Sequence, residues 1–462
     1  MNQLKRLESG IDGLDTLLKG GLIAGSSYII QGRPGSGKTI LANQIGFNHI
    51  KQGGSVLFAT LLAEPHDRLF QFLSTLSFYD EAQVNQSIQF VSAFDTLENE
   101  GLDAVVKLLR REISRQKSTL LVLDGLLNAR SKAESPLDTK QFISELQGHA
   151  AFAGCTVLFL TSSQLDEGSP EHTMVDGVIE MGEESVGSKT VRLIKLRKTR
   201  GSGAIAGAHE FEINQDGIAV YPKIESLLGG SSLHDSDHLS LISSGIPSLD
   251  SQIGGGLTTS SVTLIMGPSG AGKTSLGIQF LSGATQDEPG LYFGFHESPQ
   301  RVRIKARALG HDFSALEKSG AMHIVWNSVS QGMIDRSSYE LLKLVEQKNI
   351  KRVFIDSLVG MSRLAIDQSR VNEIFTALLG ELRSRGVTIM ATWETQRMLN
   401  DLPGATAPDL SGLMDNLLLI QFSRNGTELQ RQLSILKIRD NAYDPSLLEV
   451  VMGNAGITLK KV

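Results

Sequence analysis

One eight-residue pattern occurs twice in this chain, and each copy dictates the backbone around it. Gly32-Arg33-Pro34-Gly35-Ser36-Gly37-Lys38-Thr39 and Gly267-Pro268-Ser269-Gly270-Ala271-Gly272-Lys273-Thr274 both read Gly-x4-Gly-Lys-Thr. The second copy lies between the apolar run Ser261–Met266 and the helix-like run Ser275–Leu281. A strand, a glycine-rich loop and a helix, in that order, form a phosphate cradle, or P-loop. The glycines let backbone N–H groups converge on phosphate oxygens, and the helix adds the positive end of its dipole. Lys38 and Lys273 would neutralise the β- and γ-phosphates, and Thr39 and Thr274 would offer hydroxyls to Mg²⁺. The expected cofactors are therefore ATP and Mg²⁺. Gly32, Gly35, Ser36 and Gly37 line one cradle; Gly267, Ser269, Gly270, Ala271 and Gly272 line the other.

The repeat extends beyond the loops. Ser9-Gly10-Ile11 and Asp15 return as Ser244-Gly245-Ile246 and Asp250, and Gly20-Gly21-Leu22 returns as Gly255-Gly256-Leu257. All these pairs keep one constant spacing, far longer than the roughly 20–50 residues of a solenoid repeat, so the chain reads as a domain duplication. Ser226–His238 is small, polar and aperiodic, as linkers are. The expected division is a first domain over 1–225, a linker over 226–238 and a second domain over 239–462. Within each half, short apolar runs alternate with helical patterns, which predicts two α/β domains, each a mostly parallel twisted sheet flanked by helices.

Composition limits the partners. The net charge is −6, so no global basic field draws in nucleic acid, which is not the expected partner. Cys155, the one cysteine, sits in an apolar run and reads as a buried thiol. No run approaches 18 apolar residues and the first residues lack an apolar leader core, so the expected compartment is the cytoplasm, with no membrane partner.

Three further elements complete a candidate site. Thr119–Asp124 and Arg352–Asp356 read as buried strands ending in a carboxylate, which places Asp124 and Asp356 to hold Mg²⁺ through water. Glu297, in Phe293-Gly294-Phe295-His296-Glu297-Ser298-Pro299, follows the second strand of its half and is the candidate to orient or deprotonate an attacking water. In the first half, counting from the P-loop lysine sets Leu61 and Leu62 opposite His296 and Glu297. Aligning Pro65 with Pro299 sets Leu62 and Ala63 there, and Glu64 reaches the place only through a bulge or an inserted residue. Lys195-Leu196-Arg197 and Lys437-Ile438-Arg439 lie in late strands of alternating pattern, so each Lys and Arg share a face. One reading is a solvated edge that deters aggregation; the other is a cationic finger aimed at a neighbouring subunit's γ-phosphate.

This order of motifs, present twice, resembles the KaiC family of double-domain RecA-like ATPases of the cyanobacterial clock. The resemblance runs from about Arg6 to Thr458. It implies stacked hexameric rings with ATP between subunits, Lys195, Arg197, Lys437 and Arg439 against the neighbour's nucleotide, and signalling proteins as partners. It also implies paired glutamates after the second strand of each domain; here His296 replaces the first of the pair in the second half. The family phosphorylates itself on adjacent Ser and Thr residues, where this chain has Ser411 followed by Gly412, with Thr406 as a second candidate hydroxyl. The expectation is a hexameric signalling ATPase with single-site serine autokinase activity, stronger in the second domain. Two alternatives are a RecA/RadA-like DNA-dependent repair ATPase and an ATP-gated scaffold without turnover.

Overall fold

The computed structural model describes residues 4–63, 65–133, 135–162, 169–186, 189–228, 240–329, 332–395 and 409–462. The chain divides into two compact units, Met1–Lys223 and Ile224–Val462.

In the first unit the described residues form a nine-stranded sheet. Its spatial order is Gly217–Tyr221, Ala208–Asn214, Lys189–Thr199, Gly177–Val186, Ser27–Gln31, Thr156–Thr161, Leu120–Asp124, Val56–Thr60 and Ile88–Ser92. The six strands from Gly177–Val186 to Ile88–Ser92 are parallel, and the other three add on antiparallel. The second unit repeats this order with Gly456–Lys461, Leu448–Gly453, Glu428–Ile438, Asn416–Asn425, Val262–Gly267, Thr388–Glu394, Arg352–Asp356, Gly290–Gly294 and Met322–Trp326. Each sheet has an apolar cluster on either face, such as Leu158 and Ile179 on one side and Leu121 and Phe159 on the other. Burial on both faces explains why these strands read as near-continuous apolar runs.

The repeated Ser-Gly-Ile…Asp segment is a structural turn. Asp15 accepts the N–H groups of Ser9 at 2.8 Å and Gly10 at 3.0 Å, and Asp250 accepts the Ser244 N–H at 2.9 Å. The side chains of Asn48 and Gln279, on the helices after the two P-loops, tie the same turns down through the Gly10 and Gly245 carbonyls at 3.1 and 2.8 Å. The motif thus fixes each P-loop helix against the entrance of its domain.

Candidate functional site

Both P-loops join a central parallel strand to a helix, Lys38–Lys51 in one unit and Lys273–Leu281 in the other. The residues before these helices, Gly37 and Gly272, have φ of 95° and 110°, where an L side chain is strained. That conformation turns the first helical N–H groups outward. Lys38 donates to the carbonyls of Gly32 and Arg33 at 2.9 and 3.0 Å, and Lys273 to those of Gly267 and Pro268, both at 2.8 Å. Burial lowers the pKa of each amine, against the opposing pull of Asp124 on Lys38 and of Glu394 and Asp356 on Lys273. These ammonium groups are desolvated beside a loop of N–H donors, as a polyanion site requires.

The strand-end carboxylates stand where the sequence predicts. Thr39 Oγ1 donates to Asp124 Oδ2 at 3.1 Å, and Thr274 Oγ1 to Asp356 Oδ2 at 2.9 Å. A hydroxyl and a carboxylate at one P-loop make an oxygen donor set that suits Mg²⁺, which keeps most of its waters. Two further hydroxyls converge on Asp356: Tyr292 donates to Oδ2 at 2.9 Å and Thr392 to Oδ1 at 2.7 Å. Sequence reasoning missed both, because they come from strands on either side. Register sets Phe58 and Leu160 at those two places in the first unit.

A cavity of about 870 Å³ opens over the second P-loop, and its wall includes Lys273, Thr274, His296, Glu297, Asp356 and Glu394. His296 is exposed. Glu297 forms an ion pair with Lys305, while its Oε2 is buried with no hydrogen-bond partner among the described residues. The first unit differs here. The N–H groups of Leu61 and Phe295 make the same bond to the strand-end Asp carbonyl, at 2.8 and 2.9 Å. That register sets Leu62 and Ala63 opposite His296 and Glu297, as the proline alignment predicts. Glu64 itself lies outside the described residues, as does Thr406.

The late cations require a correction. In both units a bulge interrupts the antiparallel pairing at the same place, and beyond it Val178 pairs with Lys198 just as Leu417 pairs with Lys437. The counterparts of Lys437 and Arg439 are therefore Lys198 and Arg200, and the predicted pair Lys195 and Arg197 stands three residues early. The first half holds two Lys-x-Arg patterns three residues apart, and strand alternation alone does not choose between them. A cue did exist in the sequence: Lys198 follows Asp176 at the distance by which Lys437 follows Asp415. The contacts repeat as well. Lys437 donates to the Ser411 carbonyl at 3.3 Å and Arg439 to Asp415 at 3.1 Å; Lys198 donates to the matching His172 carbonyl at 2.7 Å and Arg200 lies 4.0 Å from Asp176.

Arg197 instead pairs with Glu180 at 2.9 Å. Burial opposes the charge on Glu180, but the bond and field of Arg197, with smaller help from Gln31 and Lys195, hold its carboxyl below the usual range. Gln31, next to the P-loop, donates to Glu180 at 3.4 Å and meets His172 Nε2 at 2.7 Å. The second unit sets Met266, Leu419, Leu436 and Ser411 at the places of Gln31, Glu180, Arg197 and His172. Ser411 is exposed, outside the lining of its own unit's cavity, and its carbonyl accepts from Lys437 at 3.3 Å. Among the described residues, no helix is long and apolar enough to cross a membrane.

Two sheets of identical strand order, each with a P-loop on the central strand and a carboxylate at the end of a parallel strand nearby, define a tandem RecA-like P-loop ATPase. Comparison with known proteins narrows that class. The KaiC ATPase family profile matches residues 7–225 and 242–461, so the chain belongs to the KaiC ATPase family. It is 24% identical to the circadian clock oscillator protein KaiC of Picosynechococcus sp., over 99% of this chain and 90% of that one. It is 25% identical to the protein of the same name from Parathermosynechococcus lividus, over 99% and 86%. Circadian clock oscillator protein KaiC 1 of Synechocystis sp. is 24% identical, over 98% and 88%.

Proposed function

We propose that this KaiC-family ATPase hydrolyses Mg²⁺-ATP chiefly in its second domain and works as a self-assembled ring, with six subunits as the family resemblance implies. The observation that carries the reading is the joint presence of Lys273, Thr274, Asp356 and Glu297 around one cavity. In this reading the P-loop N–H groups and Lys273 hold the triphosphate, and Thr274 with Asp356 holds Mg²⁺, which supplies charge neutralisation when bound. Glu297 aligns the attacking water and accepts its proton. Lys437 and Arg439, and by register Lys198 and Arg200, serve a neighbouring subunit's nucleotide after leaving their present partners.

The first domain binds ATP mainly to hold the assembly together. Ala63 at the place of Glu297 favours this scaffold role for that domain alone. Ser411 is the proposed acceptor for autophosphorylation, supplied by ATP bound to a neighbour, with His296 as the base. Protein partners that read the nucleotide state complete the signalling role, in keeping with the clock function named for the relatives.

The test measures phosphate release and particle size with and without Mg²⁺-ATP, together with phosphopeptide mapping. Glu297→Gln should remove most turnover while ATP-dependent assembly persists; unchanged turnover would place the chemistry elsewhere. Phosphate on neither Ser411 nor Thr406 would remove the kinase activity from the reading. Assembly with negligible turnover in the parent protein would leave the scaffold alone.

A further inference from the structure

The ion pair between Glu297 and Lys305 lies in the wall of the cavity over the second P-loop. Glu297 stands two residues before the helix Pro299–Ala308, and Lys305 lies two turns along it. Helical side chains lean toward the N-terminus of their helix, so the Lys305 stem runs back toward Glu297. The Glu297 side chain keeps 21% of its exposure and that of Lys305 keeps 44%. One carboxylate oxygen, Oε1, is engaged by the ammonium; the other, Oε2, is buried and has no hydrogen-bond partner among the described residues. A carboxylate held by one oxygen has lost most of its rotational freedom, and its second oxygen has a fixed direction.

The first unit supplies an internal comparison. Register and the shared proline set Ala63 at the place of Glu297 and Gln71 at the place of Lys305. The copy without the carboxylate also lacks the cation. A cation present only to adjust surface charge would have no reason to follow the carboxylate in this way.

We propose that Lys305 is a positioning residue for ATP hydrolysis in the second domain: it clamps Oε1 of Glu297 and so fixes the carboxylate in the wall of the cavity, where it directs the attacking water. The proposal rests on the reading of Glu297 as the water-directing carboxylate. No bond to substrate is assigned to Lys305, which acts through Glu297.

Steady-state ATP hydrolysis by the full-length protein, as a function of ATP concentration at saturating Mg²⁺, tests it. The four proteins are the parent, Lys305→Met, Lys305→Arg and Glu297→Gln, with the double variant Lys305→Met/Glu297→Gln closing the cycle. The second domain's share is the turnover that Glu297→Gln removes. Lys305→Met should cut that share roughly ten- to hundredfold in kcat, the scale of an ångström-sized misplacement, with KM for ATP unchanged. Lys305→Arg should restore most of it, and adding Lys305→Met to Glu297→Gln should cost nothing more. Three results overturn the proposal. Full kcat in Lys305→Met makes the pair a surface contact, and a raised KM at constant kcat makes Lys305 a nucleotide ligand. Equal losses in the presence and absence of Glu297 make it a structural residue. If Glu297→Gln removes no turnover, the underlying reading fails as well, and that signature is separate from the other three.

Discussion

Tyr292→Phe removes one hydroxyl from the second site and nothing else. The Tyr292 ring is fully buried, edge-on to Phe354 with centroids 5.5 Å apart, and its hydroxyl donates to Asp356 at 2.9 Å. Phenylalanine fits the same space, since Phe58 occupies the matching position in the first unit. A hydrogen bond to a charged group contributes about 1.5–3 kcal/mol. Asp356 keeps Thr274 at 2.9 Å and Thr392 at 2.7 Å, so the expected loss lies toward the low end. A loss of about 1–2 kcal/mol lowers the midpoint of a domain of this size by roughly 2–8 °C. The chain's two tryptophans, Trp326 and Trp393, both lie in the second unit, so their fluorescence reports its unfolding without interference from the first. Thermal unfolding without nucleotide is the assay. A midpoint within about 1 °C of the parent would show that the hydroxyl contributes nothing to the folded state. A loss beyond about 4 kcal/mol would show disturbed packing, and the hydrogen-bond reasoning would fail with it.

Three other perturbations have defined outcomes. Arg370 donates to both oxygens of Asp335, at 3.1 and 3.0 Å, and the Asp335 side chain is wholly buried; Arg370→Leu should destabilise the second unit by about 3–5 kcal/mol by tryptophan fluorescence, and adding Asp335→Asn should recover part of the loss. Burial pushes the Cys155 thiol up to about 12, so a thiol reagent at pH 8 should label the protein only after unfolding; labelling of the native chain within minutes would contradict its placement. Gln31→Met, which copies the second unit's Met266, removes the bonds to His172 and Glu180 and should cost the first unit about 1–3 kcal/mol, read by circular dichroism as a lower first-unit transition with the tryptophan transition unmoved.

The position of a residue was legible in the sequence wherever the signal was local. The P-loops, the strand-end Asp124 and Asp356, and Glu297 just beyond its strand each carry their meaning in a few adjacent residues, and the structure gathers the second set around one cavity. It was hidden wherever it depends on a partner strand. The first half carries two Lys-x-Arg patterns three residues apart, Lys195-Leu196-Arg197 and Lys198-Thr199-Arg200, and only the pairing with the preceding strand selects the second as the counterpart of Lys437 and Arg439. Tyr292 and Thr392 reach Asp356 from neighbouring strands far away in sequence, and on their own strands each reads as one more core position. Lys305 reads as an ordinary solvated helix residue until the helix is seen to start beside Glu297.

The two copies have kept one frame and exchanged their polar groups. Both retain the Ser-Gly-Ile…Asp turn, the P-loop and the Thr–Asp pair, which together suffice to hold a nucleotide. Around Asp356 the second copy adds Tyr292, Thr392, His296, Glu297 and Lys305, where the first has Phe58, Leu160, Leu62, Ala63 and Gln71. Beside the central strand the exchange runs the other way, with Gln31, His172, Glu180 and Arg197 facing Met266, Ser411, Leu419 and Leu436. Burying a polar group costs free energy unless it is bonded, so such sets persist only as connected networks. In the second copy the network surrounds the carboxylates that hydrolysis would use. In the first it links the residue before the P-loop, through His172, to the turn whose carbonyl holds Lys198. One copy has gathered its polar groups around the strand-end carboxylate of its cradle. The other has joined its cradle to the segment that holds Lys198, in line with the holding role proposed for that domain.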